Sequence, residues 1–266
     1  MKQLRLSPST LNIYLECRKC FWLQFNRGIK RPRGIFPSLP GGMDNVIKSY
    51  FDTYRVRGEL PPELREGVEG VLVPELDLIR KWRDWRTGLS YTDSSLNAVL
   101  FGALDDCVLD EGFYVPLDYK TRGYAPGGDS ERYYGNQLNC YSLLLEENGY
   151  RVKNHAYLVY YYPDSVGEDG VVKFNVQPVR LNTELRRAKK TFEGAVELLR
   201  GDMPPDTPGC EYCRLRGISL EETPAPKPVK REPEPFPGKK TGPDAKPKSR
   251  RRKPASDKNG QIDLFK

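Results

Sequence analysis

Apolar side chains along this chain keep two different rhythms. In the first third they recur every three or four positions, the period of a helix with one buried face. Leu11, Tyr14, Leu15, Phe21, Trp22 and Phe25 predict a first helix, with Ser7 as its N-cap and Pro8 at its first position. The Gly- and Pro-rich residues 31–42 read as a loop. A second helix is expected over residues 43–55. A third is expected over residues 63–85, on the stripe Val68, Val71, Leu72, Leu76, Ile79 and Trp82.

In the middle of the chain the period shortens. Residues 98–108 and 113–119 read as strands joined by the turn Asp110-Glu111-Gly112. Residues 133–147 read as a helix ended by Asn148-Gly149. Residues 155–162 and 171–176 read as strands, and residues 182–200 as a helix with Asn182 as its cap. The order of three helices, two strands, helix, two strands, helix predicts an α/β fold with a central mixed sheet flanked by helices. That domain is expected to occupy residues 1–220. Residues 221–260 are rich in Pro, Lys, Arg and Glu and cannot bury enough apolar surface to offset their ordering entropy, so a disordered basic linker is expected there. Residues 261–266 regain apolar character.

Charge and composition narrow the chemistry. Residues 221–266 hold 13 Lys and Arg against 7 Asp and Glu, so most of the net +7 lies in the tail. A basic tail favours nucleic acid through counterion release. No apolar run reaches the about 20 residues of a membrane span, and Met1-Lys2-Gln3-Leu4-Arg5 lacks the apolar core of a secretion signal. No membrane association and a cytoplasmic location are therefore expected. The single histidine, His155, excludes a His-based triad, a two-His zinc motif and a His-x-Glu deaminase. Set in the run His155-Ala-Tyr-Leu-Val-Tyr-Tyr-Tyr162, it reads as a structural strand residue. Four of the six cysteines form two Cys-x-x-Cys pairs, Cys17/Cys20 and Cys210/Cys213, a spacing that suggests metal ligation. Cys107 and Cys140 read as buried apolar residues.

The hairpin carries the reactive residues. Asp105 lies near the end of one strand; Asp118 and Lys120 lie two apart on the next and face one side. Asp118 interrupts an apolar run, which is costly unless the charge is paired or binds a metal. Two carboxylates suit Mg²⁺ or Mn²⁺, and Lys120 could stabilise negative charge developing on a phosphate. By pattern alone, an Asp-x-Lys pair is equally a salt bridge.

Five ordered motifs extend this reading: Ser7-Pro-Ser-Thr-Leu-Asn-Ile-Tyr-Leu-Glu-Cys17, Gly102-Ala-Leu-Asp105, Leu117-Asp118-Tyr119-Lys120-Thr121, Gln137-Leu-Asn-Cys-Tyr141 and Pro208-Gly-Cys210-Glu-Tyr-Cys213. Together they resemble the PD-(D/E)XK nuclease superfamily, specifically the RecB-type nuclease domain and its CRISPR-associated relatives. The resemblance implies a restriction-endonuclease-like core and a metal-dependent nuclease acting on DNA in repair, replication or recombination. It implies Asp105, Asp118 and the main-chain carbonyl of Tyr119 as metal ligands, Lys120 as catalytic, and Gln137 and Tyr141 as contacting DNA or positioning the site. Where the family often has a metal-binding His on an early helix, this chain has Asp44. Asp44 is a candidate ligand and equally a helix N-terminal acid. By family analogy the four cysteines hold a structural 4Fe–4S cluster, with Zn²⁺ as the alternative. The other functional reading is a catalytically inactive DNA-binding scaffold.

The terminal Gln261-Ile-Asp-Leu264-Phe265 resembles the bacterial sliding-clamp-binding peptide. Leu264 and Phe265 are expected as buried anchors and Gln261 as a hydrogen-bonded rim residue. The double change Leu264→Ala and Phe265→Ala should abolish binding to a bacterial clamp and leave cleavage of short free DNA unchanged. Calorimetric titration of the terminal peptide against the clamp checks this, and no binding at high micromolar concentration would refute it.

Overall fold

A computed structural model describes residues 3–32, 34 and 38–215. The expected linker and the peptide with Gln261, Leu264 and Phe265 lie outside the described residues. Along the described chain run β1 (Leu4–Leu6), α1 (Pro8–Glu16), α2 (Arg18–Asn26), α3 (Ser38–Arg55), β2 (Val71–Leu72), α4 (Leu76–Arg83), β3 (Leu89–Asp93) and β4 (Ala98–Gly102). There follow β5 (Asp106–Asp110), β6 (Phe113–Thr121), α5 (Ser130–Glu147), β7 (His155–Val166), β8 (Val172–Asn182), α6 (Leu185–Arg200) and α7 (Glu211–Leu215).

Five strands form the main sheet in the order β2-β5-β6-β7-β8. It is mixed: β6 and β7 are parallel, with Asp118 opposite Leu158, and the other pairs are antiparallel. The parallel pair requires a crossover, and α5 supplies it. A smaller sheet, β1-β4-β3, stands beside it. This is the α/β architecture the sequence predicts, with a mixed sheet flanked by helices.

Strand alternation divides the core into two layers. On one face Val115, Leu117, Tyr119, Tyr157, Val159 and Tyr161 pack with Ile47 and Phe51 of α3. On the other Ala156, Leu158 and Tyr160 pack with Leu138, Tyr141 and Leu145 of α5 and with Phe192 and Val196 of α6. Asp118 and Lys120 alternate with Leu117 and Tyr119, so they point toward α5.

Several expected elements differ. The first helix is two, because Cys17 has extended backbone (φ −159°, ψ 105°) and serves as C-cap of α1 and N-cap of α2. Its thiol accepts the Cys20 amide at 3.4 Å. Helix α3 starts inside the expected loop, at Ser38, since Pro40 falls in its first turn, where no amide hydrogen is needed. The expected helix over residues 63–85 is a short turn, strand β2 and only then α4. Gly70 has φ +94°, which suits glycine, and an added Cβ would lie 2.5 Å from the Leu109 carbonyl oxygen. Pro74 then removes a donor just before α4. The expected strand over residues 98–108 is β4 and β5, which part at residues 103–105 to join different sheets. Asn182 pairs with His155 at the end of β8 and is no helix cap. His155 itself is buried, its Nδ1 3.2 Å from Arg180, as a structural strand residue should be. Burial and Arg180 hold its pKa low.

Candidate active site

The parting of β4 from β5 sets Asp105 beside the buried end of β6. Asp118 has no solvent exposure. Its Oδ1 accepts a hydrogen bond from Gln137 Nε2 at 3.0 Å, and its Oδ2 is ion-paired with Lys120. Gln137 also donates to the Tyr141 hydroxyl at 2.8 Å, one turn along α5. Lys48 of α3 lies 2.8 Å from both Asp105 Oδ1 and Asp44 Oδ2. The structure thus brings together Asp105, Asp118, Lys120, Gln137 and Tyr141, and links Asp44 to them through Lys48. Tyr119 belongs to the same strand, but its side chain turns to the α3 face.

Electrostatics here are unbalanced. Burial pushes the Asp118 carboxyl up to about 7, Lys120 opposes this, and nearby Asp105 adds to it. Burial works against charge on Lys120 too, yet Asp118 and Asp105 outweigh it and hold the ammonium charged. Lys48 is held charged in the same way by Asp105 and Asp44. Three carboxyl groups here share two lysines, and the one with no exposure, Asp118, is the one whose charge burial opposes. A buried carboxyl whose pKa is raised in part by a second carboxylate beside it, within reach of a fixed ammonium, is a donor set suited to a hard divalent cation.

A second network holds this one in place, and the sequence reading missed it. Asp106, adjacent to Asp105, is fully buried and accepts from Arg55, Arg83, the Tyr119 hydroxyl and the Cys107 amide. Arg83 also donates to the Asp105 carbonyl at 2.7 Å and to both oxygens of Asp52. The loop bearing Asp105 is thereby fixed to α3, α4 and β6. A signal was present: Ile47, Phe51 and Arg55 lie on one stripe of α3, so Arg55 is a charge at a core position. Lys48 was legible as the i,i+4 partner of Asp44.

Gly102 admits α5 to this site. An added Cβ would stand 2.9 Å from Leu144 and 3.3 Å from the Tyr141 ring. This is the physical content of the Gly-x-x-Asp element: closeness first, then the carboxylate.

Comparison with family models matches residues 44–218 to the PD-(D/E)XK nuclease superfamily. The chain belongs to this superfamily. The match spans Asp44, Asp105, Asp118, Lys120, Gln137 and Tyr141. PD-(D/E)XK proteins are generally nucleases that use divalent metals. Among curated proteins no sequence matches the chain.

The four paired cysteines form a separate centre in this PD-(D/E)XK chain. The sulfurs of Cys17, Cys20, Cys210 and Cys213 all lie within 4.8 Å of one another. Cys17 and Cys213 are 3.5 Å apart, Cys20 and Cys210 3.8 Å, Cys20 and Cys213 4.0 Å. Burial opposes ionisation of Cys17, but the Thr207 hydroxyl and the Cys20 amide bring its thiol down to about 6. Burial, with neighbouring sulfurs, pushes Cys20 and Cys213 up. Such a set is compatible with a metal, whose charge would favour four thiolates. Cys107 and Cys140 are wholly buried, with thiols pushed up by burial. They are core residues, as expected.

Removing Asp106 should be severe. Asp106→Ala leaves Arg55 buried without its partner and should cost about 3–5 kcal/mol, read as a lowered midpoint in urea unfolding. An unchanged midpoint would show that the network does not anchor the fold.

Proposed function

We propose that this protein is a RecB-type, divalent-metal-dependent deoxyribonuclease. The observation that carries the reading is the buried Asp118, held by Gln137 and Lys120 with Asp105 beside it. Asp105, Asp118 and the Tyr119 carbonyl would hold Mg²⁺ or Mn²⁺. When bound, the cation supplies Lewis acidity toward the phosphate and lowers the pKa of a coordinated water. Gln137 fixes the Asp118 carboxylate by occupying Oδ1, and Tyr141 fixes Gln137 in turn. Lys120 presents a fixed positive charge toward oxygens that become more negative as the phosphodiester breaks. Lys48 neutralises Asp105 and Asp44. If a cation takes over Asp105, Asp44 keeps Lys48 paired, so no ammonium is left stranded.

For the cysteine centre, sulfur spacing supports zinc over the 4Fe–4S cluster that family analogy suggests. A tetrahedral ion with Zn–S bonds of about 2.3 Å places its sulfurs about 3.8 Å apart, near the observed 3.5, 3.8 and 4.0 Å. A cubane binds each thiolate at a different iron and would spread them further. Such a zinc ion would be structural, joining α2 to α7. Recruitment to a sliding clamp by Gln261, Leu264 and Phe265, and work in repair, replication or recombination, complete the proposal. A cytoplasmic location belongs to the same reading, and no helix among the described residues is long and apolar enough to cross a membrane.

The test is cleavage of labelled single-stranded, duplex and flap DNA with Mg²⁺ or Mn²⁺. Asp105→Ala, Asp118→Ala and Lys120→Ala should each lower the rate by at least about a hundredfold, while DNA binding largely survives on phosphate contacts elsewhere. Full activity in Asp118→Ala, or cleavage in chelator, would overturn the assignment. DNA binding by the wild type without cleavage would leave the scaffold reading.

Elemental analysis of anaerobically purified protein should find one zinc per chain and no brown colour. Cys17→Ser or Cys213→Ser should lower the unfolding midpoint by roughly 5–10 °C, the equivalent of about 2–3 kcal/mol. Iron with sulfide would establish the cluster instead, and neither metal would dismiss the site.

A further inference from the structure

Trp85 has no part in the core. It sits in the turn after α4 with 66% of its surface exposed, whereas Trp82, one turn earlier, is buried. A single exposed aromatic is ordinary on a protein surface; what distinguishes this one is the cleft beside it. The ring borders a cleft of about 320 Å³, which it shares with Phe101, Ser9, Asn12, Gln137 and Tyr141. Thus one wall of the cleft is the pair that positions Asp118.

The chemistry of that lining is selective. It offers the rings of Trp85 and Phe101, each with a guanidinium over one face, hydroxyls and amides in Ser9, Asn12 and Gln137, and no carboxylate. Its volume lies at the lower end of small-molecule sites, about 300–1,000 Å³. A guanidinium, that of Arg86, lies 5.2 Å from the Trp85 ring centre, and another, that of Arg5, lies 4.8 Å from Phe101. A flat group with hydrogen-bonding edges, attached to an anion, matches every one of these features. We propose that the cleft is a nucleobase subsite, in which Trp85 stacks on the base of a nucleotide next to the phosphate that the carboxylates address. This rests on the nuclease reading for the identity of that phosphate.

Stacking makes the subsite a positional device. The base in the cleft fixes the strand's register, so that one phosphate and not its neighbour meets Asp105 and Asp118. Base–aromatic stacking is tolerant of sequence, since every base has a π-face. Phe101 and the polar wall would supply whatever discrimination exists between bases.

The experiment uses the full chain with Ca²⁺, which occupies oxygen sites, and a set of single-stranded oligonucleotides each bearing one 2-aminopurine at a successive position. In the wild type, fluorescence should be quenched at one position far more than at its neighbours. Trp85→Ala should remove that quenching and weaken binding by about tenfold, and Trp85→Phe should restore most of both. Ser9→Leu narrows the cleft from a different wall and should weaken binding at the same position without touching Trp85. Both side chains are exposed, so the variants should fold. Uniform quenching along the strand, or affinity unchanged in Trp85→Ala, would overturn the subsite. Cleavage with Mn²⁺, measured on the same preparations, separates the two proposals. Cutting that is indifferent to Trp85 sinks the subsite and leaves the nuclease. Trp85-dependent quenching with no cutting upholds the subsite and sinks the nuclease.

Discussion

A single buried carboxylate, that of Asp106, organises the parts that matter. Burying an ion is expensive, and the cost is met only when its lone pairs are filled. Here two guanidiniums, a phenol and a backbone amide fill them. Those donors come from α3, the end of α4, β6 and β5 itself, so satisfying one charge locks four elements together. Arg83, drawn in for Asp106, reaches on to the Asp105 carbonyl. The loop between the two sheets therefore has little freedom to move its own carboxylate.

Strand β6 carries this rigidity across the sheet. Neighbouring side chains on a strand point to opposite faces. Tyr119 reaches the Asp106 network on the α3 side, while Asp118 meets Gln137 on the α5 side. Tyr119 and Asp118 are adjacent in sequence and separated by the thickness of the sheet. Polar strain on one face is thus resolved without placing further ions beside the other. The α5 face keeps Asp118, Asp105 and Lys120 together.

Much of this was legible in the sequence, and the pattern of what was not is instructive. The paired positions of Asp118 and Lys120 follow from strand periodicity, and Gln137 and Tyr141 share a helical face by their spacing. The α5 crossover followed from the order of the elements. The stretch before α4 misled because Val68, Val71 and Leu72 fit a helical stripe, while Gly70 and Pro74 were underweighted. Residues 98–108 misled because an apolar run does not show where a chain changes sheets. Strands β1 and β3 are short, and their pairing partners lie far away or across a turn at Asn97, whose φ is 41°. The Asp106 network was hidden for a different reason. Charges at core positions look like surface residues until their partners, which lie 13 to 51 residues away, are folded against them.

The cysteine centre has a consequence for the order in which the protein is made. Its sulfurs come from positions separated by 190 and 196 residues. A ribosome delivers Cys17 and Cys20 early, and everything that bears Asp105 and Asp118 is made before Cys210 and Cys213. Two thiols alone would hold a metal poorly, so an ion joining α2 to α7 would bind only after most of the chain had been made. Closing so long a loop with a metal would remove on the order of 5 kcal/mol of freedom from the unfolded chain. That stabilisation would arrive all at once, with Cys213. A nascent chain that stops before Cys210 carries Asp105, Asp118 and Lys120 but only one of the two cysteine pairs, so the centre can assemble only once residue 213 has been made.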